Sequence, residues 1–200
     1  MSTTRMEAFT DAVIAIILTI MVLELKVPHG TGLDVLRPLV PVMASYVLSF
    51  VYIGIYWNNH HHLLHACHRV TGSVLWANLH LMFWLSLVPF TTGWMGENHF
   101  ATVPTAAYGV VLVMAGFAYL ILQQRIIAAE GDRSLVKRAI GSDWKGKASP
   151  ALYALAIVLA FVWPLISLAI YAAVAIMWFI PDRRLERVIE EDERSGHMSP

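Results

Sequence analysis

The chain has 200 residues, of which 58% are apolar and only 14% charged, with fourteen basic and fourteen acidic side chains summing to zero. Charged residues make up about a quarter of an ordinary soluble domain, so that class is excluded. The single cysteine, Cys67, excludes an intrachain disulfide.

The apolar residues come in long blocks. Val40–Trp57, Thr105–Leu122 and Ser149–Ile180 carry no charge, the last over 32 residues. A run of about 18 apolar residues suffices to cross a bilayer. Spans in lipid must satisfy their own backbone, which makes them helical here, since the alternation of a barrel is absent. Charges at Arg5, Glu7 and Asp11, with no small-residue cleavage site after them, predict that the first helix is retained rather than removed as a signal.

Six spans are predicted, near 9–25, 38–62, 73–92, 104–124, 149–163 and 165–180. The last two share one block. As a single helix it would be about 48 Å long, against a hydrocarbon core of ~30 Å. Pro164 near its middle breaks or kinks it, into one bent helix or two short ones. Basic residues decide, because cytoplasmic loops are enriched in Lys and Arg. With six spans and an inside N-terminus, Arg5, Arg69, Arg125, Arg133, Lys137, Arg138, Lys145, Lys147, Arg183, Arg184, Arg187 and Arg194 lie inside. Only Lys26 and Arg37 lie outside. The expectation is an all-α, multi-pass cell-membrane protein with both termini cytoplasmic. A six-helix domain would occupy 1–181, with a cytoplasmic loop at about 123–148, and a charged cytoplasmic tail would occupy 182–200.

The first helix is unusual. It opens with Arg5, Glu7 and Asp11, closes with Glu24 and Lys26, and has a short apolar centre, Ala12–Leu23. Charged groups at membrane depth usually face a protein interior or a wet cavity. Alternatively Asp11 caps the helix at the headgroup level, as Thr10 and Asp11 suit a helix start.

Arg5, three residues, then Phe9-Thr10-Asp11, followed by Ala12-Val13 and Ala15-Ile16, resembles the first-helix signature of the lysosomal potassium channel family of the transmembrane-protein-175 type and its bacterial relatives. The family pattern has Ser where this chain has Thr10, and the hydroxyl is kept. Trp57 with His60, and Asn78 to Thr92, fit the same family. The resemblance implies a potassium-permeable channel, not an enzyme, assembled as a homotetramer around a pore lined by the first helices. It implies Ile16 at the hydrophobic constriction and Thr19 as a selectivity residue. Potassium ions and lipid are the implied partners, with no cofactor and no nucleic acid. Ile16, Ile20 and Leu23 recur at helical spacing beside Thr19. Four copies would stack aliphatic rings able to gate by dewetting, and Glu24 would concentrate cations at the outer mouth. By spacing alone the same residues could pack a bundle core.

The run from Asn58 to His68 holds five histidines and Cys67. His61 with His65, and His65 with His68, have metal-ligand spacing. A histidine-box oxidoreductase is therefore the competing reading, but such enzymes need several boxes, and only His80 could join this one. The topology favours another role. Asp11, His60 and Asn78 lie on different spans at one membrane depth, where each needs a partner. Arg5, Thr10 and Asp11 are expected to hydrogen-bond with His60 and Asn78, with His61 or His62 as possible substitutes for His60. The later histidines are expected at the interface, and no metal site is expected.

Overall fold

The structure is a computed structural model and describes residues 2–131, 134–140 and 144–179. Its described elements are helical. In chain order they are α1 (Thr3–Leu23), a 3₁₀ segment (Leu33–Leu39), α2 (Val40–His65), α3 (Gly72–Ser86), α4 (Val88–Glu97), α5 (Thr102–Glu130), α6 (Leu135–Ile140), α7 (Trp144–Ala160) and α8 (Pro164–Phe179). Four stretches are long and apolar enough to cross a membrane: Thr3–Leu23, Leu33–His65, Gly72–Glu97 and Thr102–Glu130.

Local chemistry sets the ends. Ser2 caps α1 by accepting from the Arg5 N–H, and Thr71 caps α3 by accepting from Val74. Pro38 lies in the 3₁₀ segment and Pro41 in the first turn of α2, so helix α2 starts where a missing N–H is harmless. Pro89 similarly falls in the first turn of α4. It breaks the third predicted span at Leu87 into two pieces, α3 and α4, that continue in one direction.

The uncharged block Ser149–Ile180 resolves into two short antiparallel helices. Ser167 Oγ donates to the Ala156 carbonyl at 2.7 Å, and Trp178 Nε1 donates to Ser149 Oγ at 2.8 Å, so the two helices of this hairpin run side by side. Helix α5 outruns its predicted span by six residues. Gln123, Gln124 and Arg125 read as an exit from the membrane, yet Leu122 and Ile126 are fully buried and carry the helix to Glu130. Residues 180–200, and with them the predicted charged tail, lie outside the described residues.

Two apolar clusters hold the bundle. One joins Met6, Ile14, Ile17 and Met21 of α1 to α3 and α5 through Leu81, Leu85, Ala115 and Leu122. The other is rich in tyrosine: Tyr52 of α2, Tyr108 of α5, Tyr153 of α7 and Tyr171 of α8. Their hydroxyls find partners, as buried polar groups must. Tyr52 donates to the Tyr171 carbonyl at 2.6 Å, and Ser49 lies 2.6 Å from the Thr92 hydroxyl and 3.0 Å from that of Tyr108. A side chain at Gly109 would collide with the Tyr171 ring and hydroxyl, so glycine there admits the α5–α8 contact.

Candidate functional site

Helix α1 has two unlike faces. At 100° per residue, Met6, Thr10, Ile14, Ile17 and Met21 share one side, and all are buried. The opposite stripe carries Arg5, Phe9, Ile16, Thr19, Ile20 and Leu23. Ile16 is 57% exposed, Ile20 42% and Leu23 80%. These residues are not packed in the bundle core of the chain, which was the competing explanation of their spacing. The Thr19 hydroxyl donates to the Ile16 carbonyl at 2.8 Å, which leaves its oxygen lone pairs free to accept. Glu24 is exposed just past the helix end. Nearby, Lys26 bridges Glu97 of α4 at 2.7 Å.

The buried face holds a directional chain of hydrogen bonds. Thr10 Oγ1 donates to the Met6 carbonyl at 3.0 Å, so it accepts from Asn78 Nδ2 at 2.9 Å. With its amide thus oriented, Asn78 presents Oδ1 to His60 Nε2 at 2.7 Å. The only consistent assignment protonates His60 at Nε2. Thr10, His60 and Asn78 are each at most 2% exposed, so the chain joins α1, α2 and α3 away from solvent.

Asp11 is not part of it. One position beyond Thr10 turns a helix by about 100°, which carries the carboxylate off the buried face toward α2. There Trp57 Nε1 donates to Asp11 Oδ1 at 3.0 Å. The Arg5 guanidinium is exposed and also stands outside the Thr10–Asn78–His60 chain. The expected grouping of Arg5 and Asp11 with His60 and Asn78 is thus corrected: Thr10 alone of the three makes that contact, because it alone points inward.

Two further ties were missed by the sequence reading. Glu7 Oε1 meets His61 Nδ1 at 2.8 Å, one turn below the Asp11–Trp57 pair, and His61 stacks on Trp57 at 6.5 Å between ring centroids. Thr3 Oγ1 donates to the Cys67 carbonyl at 3.1 Å. The legible signal was the four-residue repeat, Thr3, Glu7 and Asp11 against Trp57, His61 and the loop after His65. Antiparallel neighbours pair such repeats.

The histidine run accordingly divides among different tasks. His60 serves Asn78, His61 serves Glu7, and His68 donates its backbone N–H to the buried Glu130 carboxylate. His80 accepts from Trp84 Nε1 at 2.9 Å within α3. Among the described residues no three His, Cys, Asp or Glu side chains converge on one point. Cys67 is buried. That burial, with the Glu130 carboxylate nearby, pushes its thiol pKa up and makes it a poor nucleophile.

Comparison with known proteins gives the family. Residues 5–89 match the family described as endosomal/lysosomal potassium channel TMEM175. A protein of Chryseobacterium named as a potassium channel is 51% identical over 188 residues, covering 94% of this chain and 98% of its own. A potassium channel of Chamaesiphon minutus is 30% identical, covering 87% of this chain and 92% of its own. The crystal structure of a lysosomal potassium-selective channel TMEM175 homolog from Chamaesiphon minutus superposes with a TM-score of 0.79 at 30% identity. It covers 90% of this chain and 97% of that one. The matched stretch 5–89 contains the exposed α1 stripe and the Thr10, Asn78, His60, Asp11 and Trp57 side chains, and the chain belongs to the TMEM175 potassium channel family.

Proposed function

We propose that the chain conducts potassium passively through a central pore formed by the α1 helices of four copies. The observation that carries this reading is the exposed stripe of α1. An isolated subunit leaves Ile16, Thr19, Ile20 and Leu23 exposed on a helix whose other side is fixed by buried polar bonds. Four such stripes around an axis give aliphatic rings at Ile16, Ile20 and Leu23 and an oxygen ring at Thr19. Dewetting between the aliphatic rings closes the path, and the hydroxyl oxygens replace part of the ion's hydration. Glu24 raises the cation concentration at the outer mouth. Thr10, Asp11, Trp57, His60 and Asn78 set the position of the helix rather than touch the ion, and Arg5 and Phe9 continue the exposed stripe at its cytoplasmic end.

In this reading residues 1–181 cross the cell membrane six times, with α7 and α8 as the last two spans, and both termini are cytoplasmic. Residues 182–200 form a charged cytoplasmic tail. The protein is a channel, not an enzyme, and it uses lipid, its own copies and potassium, with no cofactor. The test is potassium flux from liposomes. Wild-type protein is expected to conduct, and Ile16→Asn to conduct faster because a wetted ring no longer dewets. Absent wild-type flux, or an unchanged mutant, overturns the pore assignment.

A further inference from the structure

The α7–α8 hairpin is short. From Trp178, at its base, to Pro164, at its tip, the rise is about 21 Å, whereas α5 is about 44 Å long and a hydrocarbon core ~30 Å thick. The base is fixed at a membrane boundary by its own chemistry: Lys145 lies 6.0 Å from the Trp178 ring centroid, and Trp178 bonds Ser149. Aromatic rings with an adjacent cation mark the headgroup level. The tip therefore ends several ångströms short of the far edge of the core.

The turn itself is made for such a place. Residues 160–165 read Ala-Phe-Val-Trp-Pro-Leu, without a charge and with the Trp163 indole N–H as the single polar side-chain group, and Phe161, Val162, Trp163 and Leu165 are all exposed. A water-exposed turn usually carries Gly, Asn, Asp or Ser. The backbone is equally spare. Phe161 N–H donates to the Val158 carbonyl, Val162 and Trp163 N–H donate to that of Leu159 at 3.0 and 2.7 Å, and Pro164 has no N–H. The turn thus leaves none of the four residues 161–164 with an unpaired donor, and the Trp163 carbonyl accepts from Ile166 N–H at 3.0 Å, which meets the donor half of the condition for placing backbone next to lipid.

We propose that the α7–α8 turn does not emerge into water but stops inside the outer leaflet, covered by lipid acyl chains and glycerol esters. The occupant is lipid because the surface has no charge for a headgroup and none of the Gly, Asn, Asp or Ser of a solvated loop, and its one polar side-chain group, the Trp163 indole N–H, suits the glycerol-ester level. The bilayer thins around this point or the headgroups fold over it, so the hairpin senses bilayer thickness. The inference rests on the cytoplasmic placement of the hairpin base in the six-span reading above and revises that reading in one point: α7 and α8 approach the outer surface without emerging from it.

Electron paramagnetic resonance of spin-labelled protein in phosphatidylcholine vesicles tests this. With Cys67 replaced by serine, a label at Val162→Cys is compared with one at His29→Cys in the exposed loop after α1. The oxygen-to-nickel-chelate accessibility ratio is expected to be several-fold higher at 162, and to rise further in longer-chain lipid. A ratio equal to that at 29 overturns the proposal, and so does shielding from both reagents, which would mean that protein covers the tip. Potassium flux on the same vesicles is a separate readout. Loss of flux with a high ratio would discard the channel reading and keep the embedded tip.

Discussion

Thr10, Asn78 and His60 form a chain in which each member's donor or acceptor role follows from its neighbour's. Such a chain tolerates no single replacement without leaving a buried group unpaired. Asn78→Leu is therefore expected to cost about 1–2 kcal/mol, the upper part of the range for polar contacts within membranes. It should appear as a lowered thermal unfolding midpoint in detergent, and Thr10→Val combined with Asn78→Leu should cost less than the sum of the two. Additive losses would show that the hydroxyl and the amide act apart. Asp11→Ala and Trp57→Phe remove opposite ends of one bond. Both are expected to disturb assembly or flux to a similar extent, and the double variant no further. Cys67 gives a pH-dependent readout of the same region. Because its thiol pKa is raised from the ordinary value, the thiolate is scarcer than in a free cysteine. Alkylation is expected to be slow at neutral pH and still climbing where a model thiol has levelled off.

At the level of helices, the apolar blocks made the spans legible, and Pro164 made the hairpin legible as one of two options. Contacts were harder to read. Asp11 was assigned to the wrong neighbour because a helix turns so far between adjacent residues that a register of one position changes the partner. Helix α5 runs past the predicted span because three polar residues in a row, Gln123 to Arg125, look the same in sequence whether a helix stops or continues above the bilayer. The tyrosine cluster was not foreseen, since tyrosines far apart in sequence announce no meeting point. Gly109 is the residue on which that cluster depends. Gly109→Ala is expected to lose about 1–3 kcal/mol through overpacking against Tyr171. Tyr171→Phe in the same chain should restore part of the loss by withdrawing the hydroxyl, as measured by thermal unfolding.

For the molecule as a whole, the exposed stripe and the buried polar chain lie on different sides of one helix. The sequence alone could not separate them, because both sides are equally apolar over Ala12–Leu23. Folding does so by burying one side against α3 and α5. The ties on α1 are also unevenly spaced. Bonds at Thr3, Glu7, Thr10 and Asp11 fall in its first three turns, while beyond them apolar packing alone supports the helix until Lys26 reaches Glu97. A rod clamped at one end behaves as a cantilever, and its sideways excursion grows steeply with distance from the clamp. In the proposed four-helix pore the Leu23 ring, farther from the ties than the Ile16 ring, is then expected to vary more in width.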